Sequence, residues 1–315
     1  TVRLGVQISW QGQPYFLISL IRLMKVSIVT EGGGFRTAYV LGSLDALYNH
    51  FKLKRVDYAV GSSISLGLLA YYIAGEIKSV YPIVKNYLSK SNALSLFNLI
   101  KGKPYINTSF IVDNVARGKH PEIENKLKKS KVKFIIPATN ARNGKVKYFD
   151  NKTTDIFSAM KAGMLMPILG GREVEINGNS YVDGGIVEPI PIDAPGIEQS
   201  RKIIILTKTM EDALHESAIF KIALRAMKWR LEPELYKAIL NREKIYQKRI
   251  KQVERLEKNG DIVLRPAQRM HGFDRKFNEV KKNAKYGYND SVSNTKLVEL
   301  VKELKSSSRR KFYFG

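Results

Sequence analysis

The fold is decided by residues 56–74, VDYAVGSSISLGLLAYYIA. The first part, Val56–Val60, is a short apolar run with β-branched residues, which predicts a strand covered on both faces. The last part, Leu66–Ala74, has a helical pattern of apolar residues. Residues 61–65 lie between them and predict a sharp strand-to-helix turn. A buried strand that turns directly into a helix is typical of an α/β protein.

The same alternation continues on both sides of this stretch. Three more runs predict strands, at Val26–Thr30, Val132–Pro137 and Ile203–Leu206. Helical patterns lie between the strands, at Ala38–Phe51, Ser79–Leu88, Phe110–Ala116 and Asp155–Met164. Residues 171–186 predict a hairpin, because apolar residues alternate on either side of Asn177-Gly178-Asn179. The sequence therefore predicts an α/β fold with a mainly parallel central sheet.

The character of the chain changes after Thr207. Residues 213–258 are rich in Lys, Arg and Glu at helical spacing, with Pro233 suited to a first helical turn. A short strand is predicted at Asp261–Leu264 and two further helices across 275–304. We therefore expect a main domain at 24–207 and a mostly helical C-terminal region at 208–315 that packs onto it. Met24 directly precedes the first strand, so we expect residues 1–23 to be a non-native or upstream segment.

Composition limits the partners and the compartment. Lys and Arg number 53 against 29 Asp and Glu, and the net charge of +24 favours nucleic acid, an anionic membrane surface or acidic small molecules as partners. A solvated basic surface explains the same charge without any partner. The absence of cysteine excludes disulfides, thiol catalysis and thiolate metal sites. No run approaches the roughly 18 apolar residues needed to span a bilayer, so we expect a cytoplasmic protein that contacts the membrane only peripherally.

Ser63 is the first candidate for chemistry. It stands in the turn between a predicted strand and a predicted helix, where a nucleophilic hydroxyl is lifted off the backbone beside a helix N-terminus. A serine at such a turn is also a common helix N-cap, which is the structural alternative.

A second candidate is the glycine loop at residues 31–36, EGGGFR, which also joins a strand to a helix. Consecutive glycines let the backbone approach a ligand closely, and the following helix N-terminus offers unpaired N–H groups. Such a loop can hold a phosphate or the oxyanion of an acyl-transfer intermediate. A dinucleotide-binding loop is disfavoured, because Thr37 stands at the position of the last glycine.

A third candidate is Asp183, which follows a strand-like run and precedes Gly184 and Gly185. A turn explains this pattern by itself, but a serine hydroxyl needs a base, and an aspartate beside it can accept the proton. The four histidines lie in polar or basic stretches that indicate surface positions: His50, His120, His215 and His271. An α/β-hydrolase would order Ser63, Asp183 and then His215 or His271, but it places its nucleophile after several strands, whereas Ser63 follows only the second.

Taken together, the three motifs resemble the patatin-like phospholipase family. They are Gly32-Gly33-Gly34-Phe35-Arg36, Gly61-Ser62-Ser63-Ile64-Ser65 and Asp183-Gly184-Gly185. The resemblance covers about Met24 to Leu206, and the rest is similar to the C-terminal extension of a bacterial patatin-like subgroup. It implies a three-layer α/β/α sandwich with a Ser63–Asp183 dyad that acts on acyl esters of lipids. It also implies an oxyanion hole at the glycine loop, formed by Gly32, Gly33 and Gly34 with Arg36 as a brace, and no metal or cofactor.

This chain departs from the family pattern beside the nucleophile. Ile64, Ser65 and Thr37 stand where the family usually has alanine, glycine and glycine. The alternative function is therefore a catalytically weakened member that binds a membrane surface or an anionic ligand through its basic face. Nucleic acid is not an expected partner, because the basic residues mix with acids at helical spacing and no RNA-binding signature is present. Leu94, Leu96, Phe97 and Leu99 are candidates to line an acyl channel, although core packing is the ordinary role of such residues.

Overall fold

The strands of the described residues form one eight-stranded sheet. The computed structural model describes residues 24–89, 107–152, 155–167, 173–214, 224–225 and 228–312. The strands of these residues are β1 Val26–Thr30, β2 Tyr58–Gly61, β3 Lys133–Asn140, β4 Val146–Asp150, β5 Val174–Ile176, β6 Asn179–Asp183, β7 Arg201–Ile205 and β8 Ile262–Leu264. Hydrogen-bonded neighbours follow the path β5-β6-β3-β2-β1-β7-β8, with β4 also paired to β3; β6 and β2 bond to different parts of β3. The five strands from β3 to β8 along this order are mutually parallel, whereas β4, β5 and β6 pair antiparallel.

Helices connect and cover the strands. They are α1 Ala38–Asp45, α2 Ser65–Ile73, α3 Val80–Ile83, α4 Phe110–Arg117, α5 Glu122–Lys129, α6 Ile156–Met164, α7 Pro233–Lys258, α8 Phe277–Ser293 and α9 Thr295–Phe312. The helices α1 and α3 continue as π-helical segments, Ala46–His50 and Val84–Leu88, and α4 is itself π-helical. Short 3₁₀ turns lie at Gly34–Thr37, Ile77–Ser79, Gly184–Ile186, Asp212–Leu214 and Lys228–Arg230.

Apolar residues on both faces of the sheet produce a three-layer α/β/α sandwich. On one face, Ile28, Ala59 and Phe134 pack in one large core with residues of α1, α2, α5 and α6. On the other face, Val29 and Val60 pack against the 190–197 segment and against the α7 residues Tyr246, Ile250 and Val253. Alternate residues of each strand thus enter opposite cores, which is why the strands read as continuous apolar runs. The predicted fold class is confirmed.

The residues after Thr207 pack onto the same sheet. β8 lies parallel to β7 at the edge of the sheet, and α7 covers one of its faces. The helix α8 crosses α1 so closely that a Cβ at Gly42 would lie 1.7 Å from the carbonyl oxygen of Ala284. This contact requires glycine at position 42. The predicted helical C-terminal region is present, and the domain boundary at 207 stays a prediction.

Most predicted elements are found within a few residues of their expected bounds. The hairpin turn has positive φ at Asn177 and Gly178, and α7 begins with Pro233. Two differences concern the sheet: β4 was not predicted, and β3 runs to Asn140 because residues 138–140 pair with β6. The expectations for residues 1–23, for His215 and for Leu94, Leu96, Phe97 and Leu99 lie outside the described residues. None of the helices in the described part of the chain is both long enough and apolar enough to cross a bilayer.

Candidate active site

The topology of the sheet brings two distant turns together. β3 pairs with β4 along one edge, while β2 and β6 share its other edge, at residues 133–135 and 138–140 respectively. β2 runs parallel to β3 and β6 runs antiparallel, so the C-terminal ends of β2 and β6 point toward each other. Ser63 follows the end of β2, and Asp183 is the last residue of β6. The two side chains therefore meet although 120 positions separate them.

Ser63 occupies a strained turn directly before α2. Its φ of 56° lies in the left-handed region that non-glycine residues rarely adopt. The side chain is half-buried, and its Oγ donates a hydrogen bond of 2.6 Å to Oδ2 of Asp183. The backbone strain and the N-terminus of the nine-residue α2 are the features of a nucleophile elbow.

Hydrogen bonds and close packing of the neighbouring residues hold the Ser63 turn in place. Ser65, at the start of α2, is fully buried; its Oγ donates to the carbonyl of Ser62 at 2.7 Å and accepts from Thr30 Oγ1 at 2.9 Å. Serine at position 65 therefore gives the turn hydrogen bonds that glycine could not make. Gly61 ends β2, where a Cβ would lie 2.5 Å from Thr30 Oγ1. Ile64 is half-buried and packs against the core on the α1 and α2 side of the sheet.

The glycine loop lies directly against the elbow. A Cβ at Gly32 would lie 2.8 Å from Cβ of Ser63, so only glycine allows this approach. Gly34 has a φ of 59° and opens the 3₁₀ turn that follows. Since the first N–H groups of a helical turn have no acceptor within it, the amides of Gly33 and Gly34 can serve as donors to an oxyanion. The guanidinium of Arg36 packs between Gly33 and Gly272.

Asp183 is fully buried, and its side chain and carbonyl accept three hydrogen bonds, while its amide donates to the carbonyl of Leu165 at 2.8 Å. Its Oδ1 accepts from the amide of Gly185 at 2.7 Å, its Oδ2 accepts from Ser63, and its carbonyl accepts from Thr139 Oγ1 at 2.8 Å. Gly184 lies between Asp183 and Gly185 and begins the 3₁₀ turn Gly184–Ile186. Burial raises the pKa of Asp183 to about 6, against the opposing effects of the Ser63 and Gly185 hydrogen bonds and of the charge of Arg242. The carboxylate is thus ionised at neutral pH and more basic than an ordinary aspartate.

The described histidines have other surroundings. His50 packs edge-on against Phe51 and Tyr288, and His120 packs against Tyr71. His271 is exposed, and His215 lies outside the described residues. Of the groups that could accept a proton from Ser63, the described structure places Asp183 in hydrogen-bond contact.

A cluster of buried charges lies behind the glycine loop. Burial lowers the pKa of Arg36 and of Lys208, and it raises the pKa of Tyr246. The ammonium group of Lys208 lies 4.1 Å from the ring centroid of Tyr246. Glu31 is the nearby acid, and its Oε2 accepts from the amide of Thr207 at 2.7 Å. This cluster ties the glycine loop to β7 and α7.

Two residues at the site were not expected from the sequence. Arg242 of α7 donates through Nε to the carbonyl of Gly185 at 3.0 Å, and Thr139 of β3 holds the carbonyl of Asp183. Neither belongs to a short motif, so no local signal identifies them. The residues predicted for the site, by contrast, all lie in the two turns and in the glycine loop. Within the described ranges, no three His, Asp or Glu side chains cluster in a way that could bind a metal ion.

The arrangement has the parts needed for acyl transfer. The hydroxyl of a serine with strained backbone contacts a buried carboxylate, and a glycine loop lies against the same serine. Chemistry of this type requires a nucleophile, a base and donors for a tetrahedral oxyanion.

Comparison with known proteins gives a family for this part of the chain. The family model described as "Patatin-like phospholipase" matches residues 28–195, which is more than half of the chain. The matched region contains the glycine loop, the Ser63 turn and the Asp183 turn, whereas Lys208, Arg242 and Tyr246 lie beyond it.

Individual relatives are distant. The "Uncharacterized protein YjjU" of Escherichia coli (strain K12) is 22% identical over 197 residues, which are 61% of this chain and 54% of that protein. The "Probable lipid hydrolase 463L" of Invertebrate iridescent virus 6 is 27% identical over 200 residues, 58% of this chain and 67% of that protein. The chain thus matches only about half the length of the first of these. The crystal structure of VipD from Legionella pneumophila superposes with a TM-score of 0.44 at 14% identity, covering 85% of this chain and 66% of that one.

Proposed function

The chain belongs to the patatin-like phospholipase family, and we propose that it is a serine acyl hydrolase that cleaves acyl esters of lipids with Ser63 and Asp183. The observation that carries this proposal is the 2.6 Å hydrogen bond from the hydroxyl of Ser63, a residue with strained backbone, to the buried carboxylate of Asp183. Membership of the family supports a lipid ester as the substrate class.

The proposed reaction has two steps. Asp183 takes the proton of Ser63 while Oγ attacks the ester carbonyl, and the tetrahedral oxyanion is stabilised by the amides of Gly33 and Gly34. The intermediate collapses to an acyl-serine, and the alcohol leaves with the proton returned by Asp183. In the second step Asp183 accepts a proton from water, the hydroxide attacks the acyl-serine, and the fatty acid leaves as Ser63 is reprotonated.

A covalent label tests the nucleophile. Purified protein is treated with a serine-reactive alkyl phosphonate, and the intact mass is measured for wild type, Ser63→Ala, Asp183→Asn and Ser62→Ala. We expect one label per wild-type chain, none on Ser63→Ala and strongly slowed labelling of Asp183→Asn. Ser62→Ala is the matched control, because it removes a buried hydroxyl next in sequence, and it should label like the wild type. Labelling that survives in Ser63→Ala would refute the assignment.

Peripheral contact with an anionic membrane is the second part of the proposal. Trp229 is 77% exposed, lies between Lys228 and Arg230, and stacks on the Arg230 guanidinium at 4.6 Å from the ring centroid. An exposed tryptophan beside cations suits a charged lipid surface, where each nearby basic residue adds on the order of 1 kcal/mol. Binding of the membrane through Trp229 and its basic neighbours would bring the active site to its lipid substrate.

Vesicle sedimentation tests the membrane contact and also separates the alternative function. Binding to vesicles of phosphatidylserine and phosphatidylcholine should exceed binding to phosphatidylcholine alone, weaken at about 0.5 M salt, and decrease in Trp229→Ala. A catalytically weakened binding protein would bind these vesicles but neither take the phosphonate label nor hydrolyse a short-chain ester. Equal binding to both vesicle types would contradict the membrane proposal alone.

A further inference from the structure

Arg242 connects the C-terminal region to the turn that carries Asp183. Its Nε donates to the carbonyl of Gly185 at 3.0 Å, and the amide of the same Gly185 donates to Oδ1 of Asp183 at 2.7 Å. Gly185 therefore accepts a hydrogen bond from α7 through its carbonyl and donates one to the carboxylate of Asp183 through its amide. Arg242 lies 57 positions after Gly185 and beyond the region matched by the family model.

The helix that carries Arg242 is fixed on both sides of this contact. Before it, Leu235 and Ile239 are buried against Val182 and Ile186, the residues that flank the Asp183 turn. Two turns after it, Arg249 forms hydrogen bonds of 2.8 and 3.0 Å with the carboxylate of Glu188. Because α7 cannot shift without breaking these contacts, it holds the guanidinium in a defined position relative to the turn.

The charge of Arg242 acts on Asp183 without a direct ion pair. The ion pairs of the described chain do not include Asp183, yet the positive charge of Arg242 lowers its pKa against the effect of burial. A cation in direct contact would make the carboxylate a poor base, whereas one bound to the adjacent peptide carbonyl stabilises the ionised form more weakly. The other charged or titratable groups of this cluster are Glu31, Arg36, Lys208, Asp212 and Tyr246.

We infer that Arg242 is a positioning residue, which holds the Asp183-Gly184-Gly185 turn against Ser63 and keeps Asp183 in its carboxylate form. The C-terminal region thereby completes the active site, so the family-matched segment by itself lacks one of its supports. Arginine suits this role because it stays charged and presents its donors in a rigid planar fork, which lysine does not. This inference rests on the proposed function for its catalytic meaning, but the effect on Asp183 can be measured without turnover.

The kinetic test uses two substitutions and a control on the same helix. For Arg242→Gln, we expect kcat on a soluble p-nitrophenyl ester to fall by about a hundredfold, because the catalytic groups are less exactly placed, with little change in KM. The acidic limb of its kcat/KM profile should move to higher pH, because the charge of Arg242 lowers the pKa of Asp183. Arg242→Lys should retain the wild-type limb but lose part of kcat. Lys237→Gln is the control on the same helix: it removes an exposed cation that pairs with Glu234, and it should leave both kcat and the acidic limb unchanged.

A titration that needs no activity separates this inference from the proposed function. The stability of Arg242→Gln is compared with that of Arg242→Gln/Asp183→Asn between pH 4 and 8, and wild type is compared with Asp183→Asn in the same way. In each pair, the difference in the free energy of unfolding between the protein with Asp183 and its Asp183→Asn counterpart reports the titration of Asp183. We expect this difference to change at a higher pH in the Arg242→Gln background than in the wild-type background. An unchanged midpoint would overturn the inference even if the enzyme is active, and a raised midpoint would support it even if no ester is hydrolysed. If Arg242→Gln does not fold, an Arg242→Lys variant with wild-type kcat would overturn it.

Discussion

Replacing Asp183 by asparagine should abolish hydrolysis and at the same time stabilise the fold. Asparagine keeps the shape of the side chain, can still accept from the Gly185 amide and can donate to Ser63 Oγ. It removes a negative charge that is fully buried. Among the residues that the structure describes, no ion pair includes Asp183. Burying such a charge lowers the stability of the fold, although the proposed reaction requires the charge.

The magnitude follows from the raised pKa. Burial raises the pKa of Asp183 from 3.8 to about 6, and each pH unit corresponds to about 1.4 kcal/mol. The ionised carboxylate therefore destabilises the fold by about 3 kcal/mol relative to the protonated form. Because the folded pKa is raised, the stabilising protonation is complete below about pH 4 and is lost as pH rises through about 6. Asp183→Asn should exceed the wild type by about 3 kcal/mol at pH 8, or by about 6 °C in Tm, and by almost nothing at pH 4.

Thermal and urea unfolding at pH 4, 5, 6, 7 and 8 measure this difference. Ser63→Ala is the control, because it abolishes activity but leaves the charge of Asp183 in place. It removes a hydrogen bond that lowers the pKa of Asp183, so its own stability should depend on pH at least as steeply as that of the wild type. A constant difference between Asp183→Asn and wild type across this pH range would refute the reasoning, as would a variant that is less stable at pH 8.

Three further predictions concern the base and its supports. The kcat/KM of the wild type should rise tenfold per pH unit below about 6 and level off above it, because Asp183 must be ionised; a profile that stays flat from pH 4 to 8 would exclude it as the base. Ser65→Ala should lower the free energy of urea unfolding by about 1–3 kcal/mol, since Thr30 Oγ1 loses its buried acceptor, and a change below about 0.5 kcal/mol would contradict this. Gly42→Ala should reduce stability by more than about 2 kcal/mol or prevent folding, because its Cβ would overlap the Ala284 carbonyl, whereas unchanged unfolding would show that α8 packs elsewhere.

The sequence predicted the secondary structure around the candidate site residues well. Both turns and the glycine loop could be located from short patterns, since a glycine or an apolar run depends mainly on backbone conformation and burial. The strand-to-helix turn at Ser63 and the hairpin before Asp183 are both present, whereas the catalytic role of these residues stays a prediction. What the pattern did not predict is that Ser65 Oγ would accept a hydrogen bond from Thr30, because this contact depends on β1 lying beside β2.

Contacts between distant parts of the chain were the features that the sequence missed. β4 is only partly buried, and its apolar and polar residues do not alternate clearly. Its pairing with β3 could therefore not be predicted from the local sequence. Arg242 is one of many basic residues on α7, and its contact with Gly185 follows only from the way that helix packs across the sheet. Long-range contacts depend on strand order and register, which are properties of the assembled sheet and not of any segment.

The amino-acid sequence by itself determined the alternating α/β pattern, the strand-to-helix turn at Ser63 and the residue types suited to acyl transfer, since each depends on a few neighbouring residues. Only the tertiary structure decided that β2 and β6 end against each other on one edge of β3, which puts Ser63 Oγ 2.6 Å from Asp183. It also decided that Asp183 is buried deeply enough to become basic, and that a helix from the C-terminal region reaches its turn. The physical reason is that burial, pKa and hydrogen-bond partners depend on which segments pack together in the assembled fold.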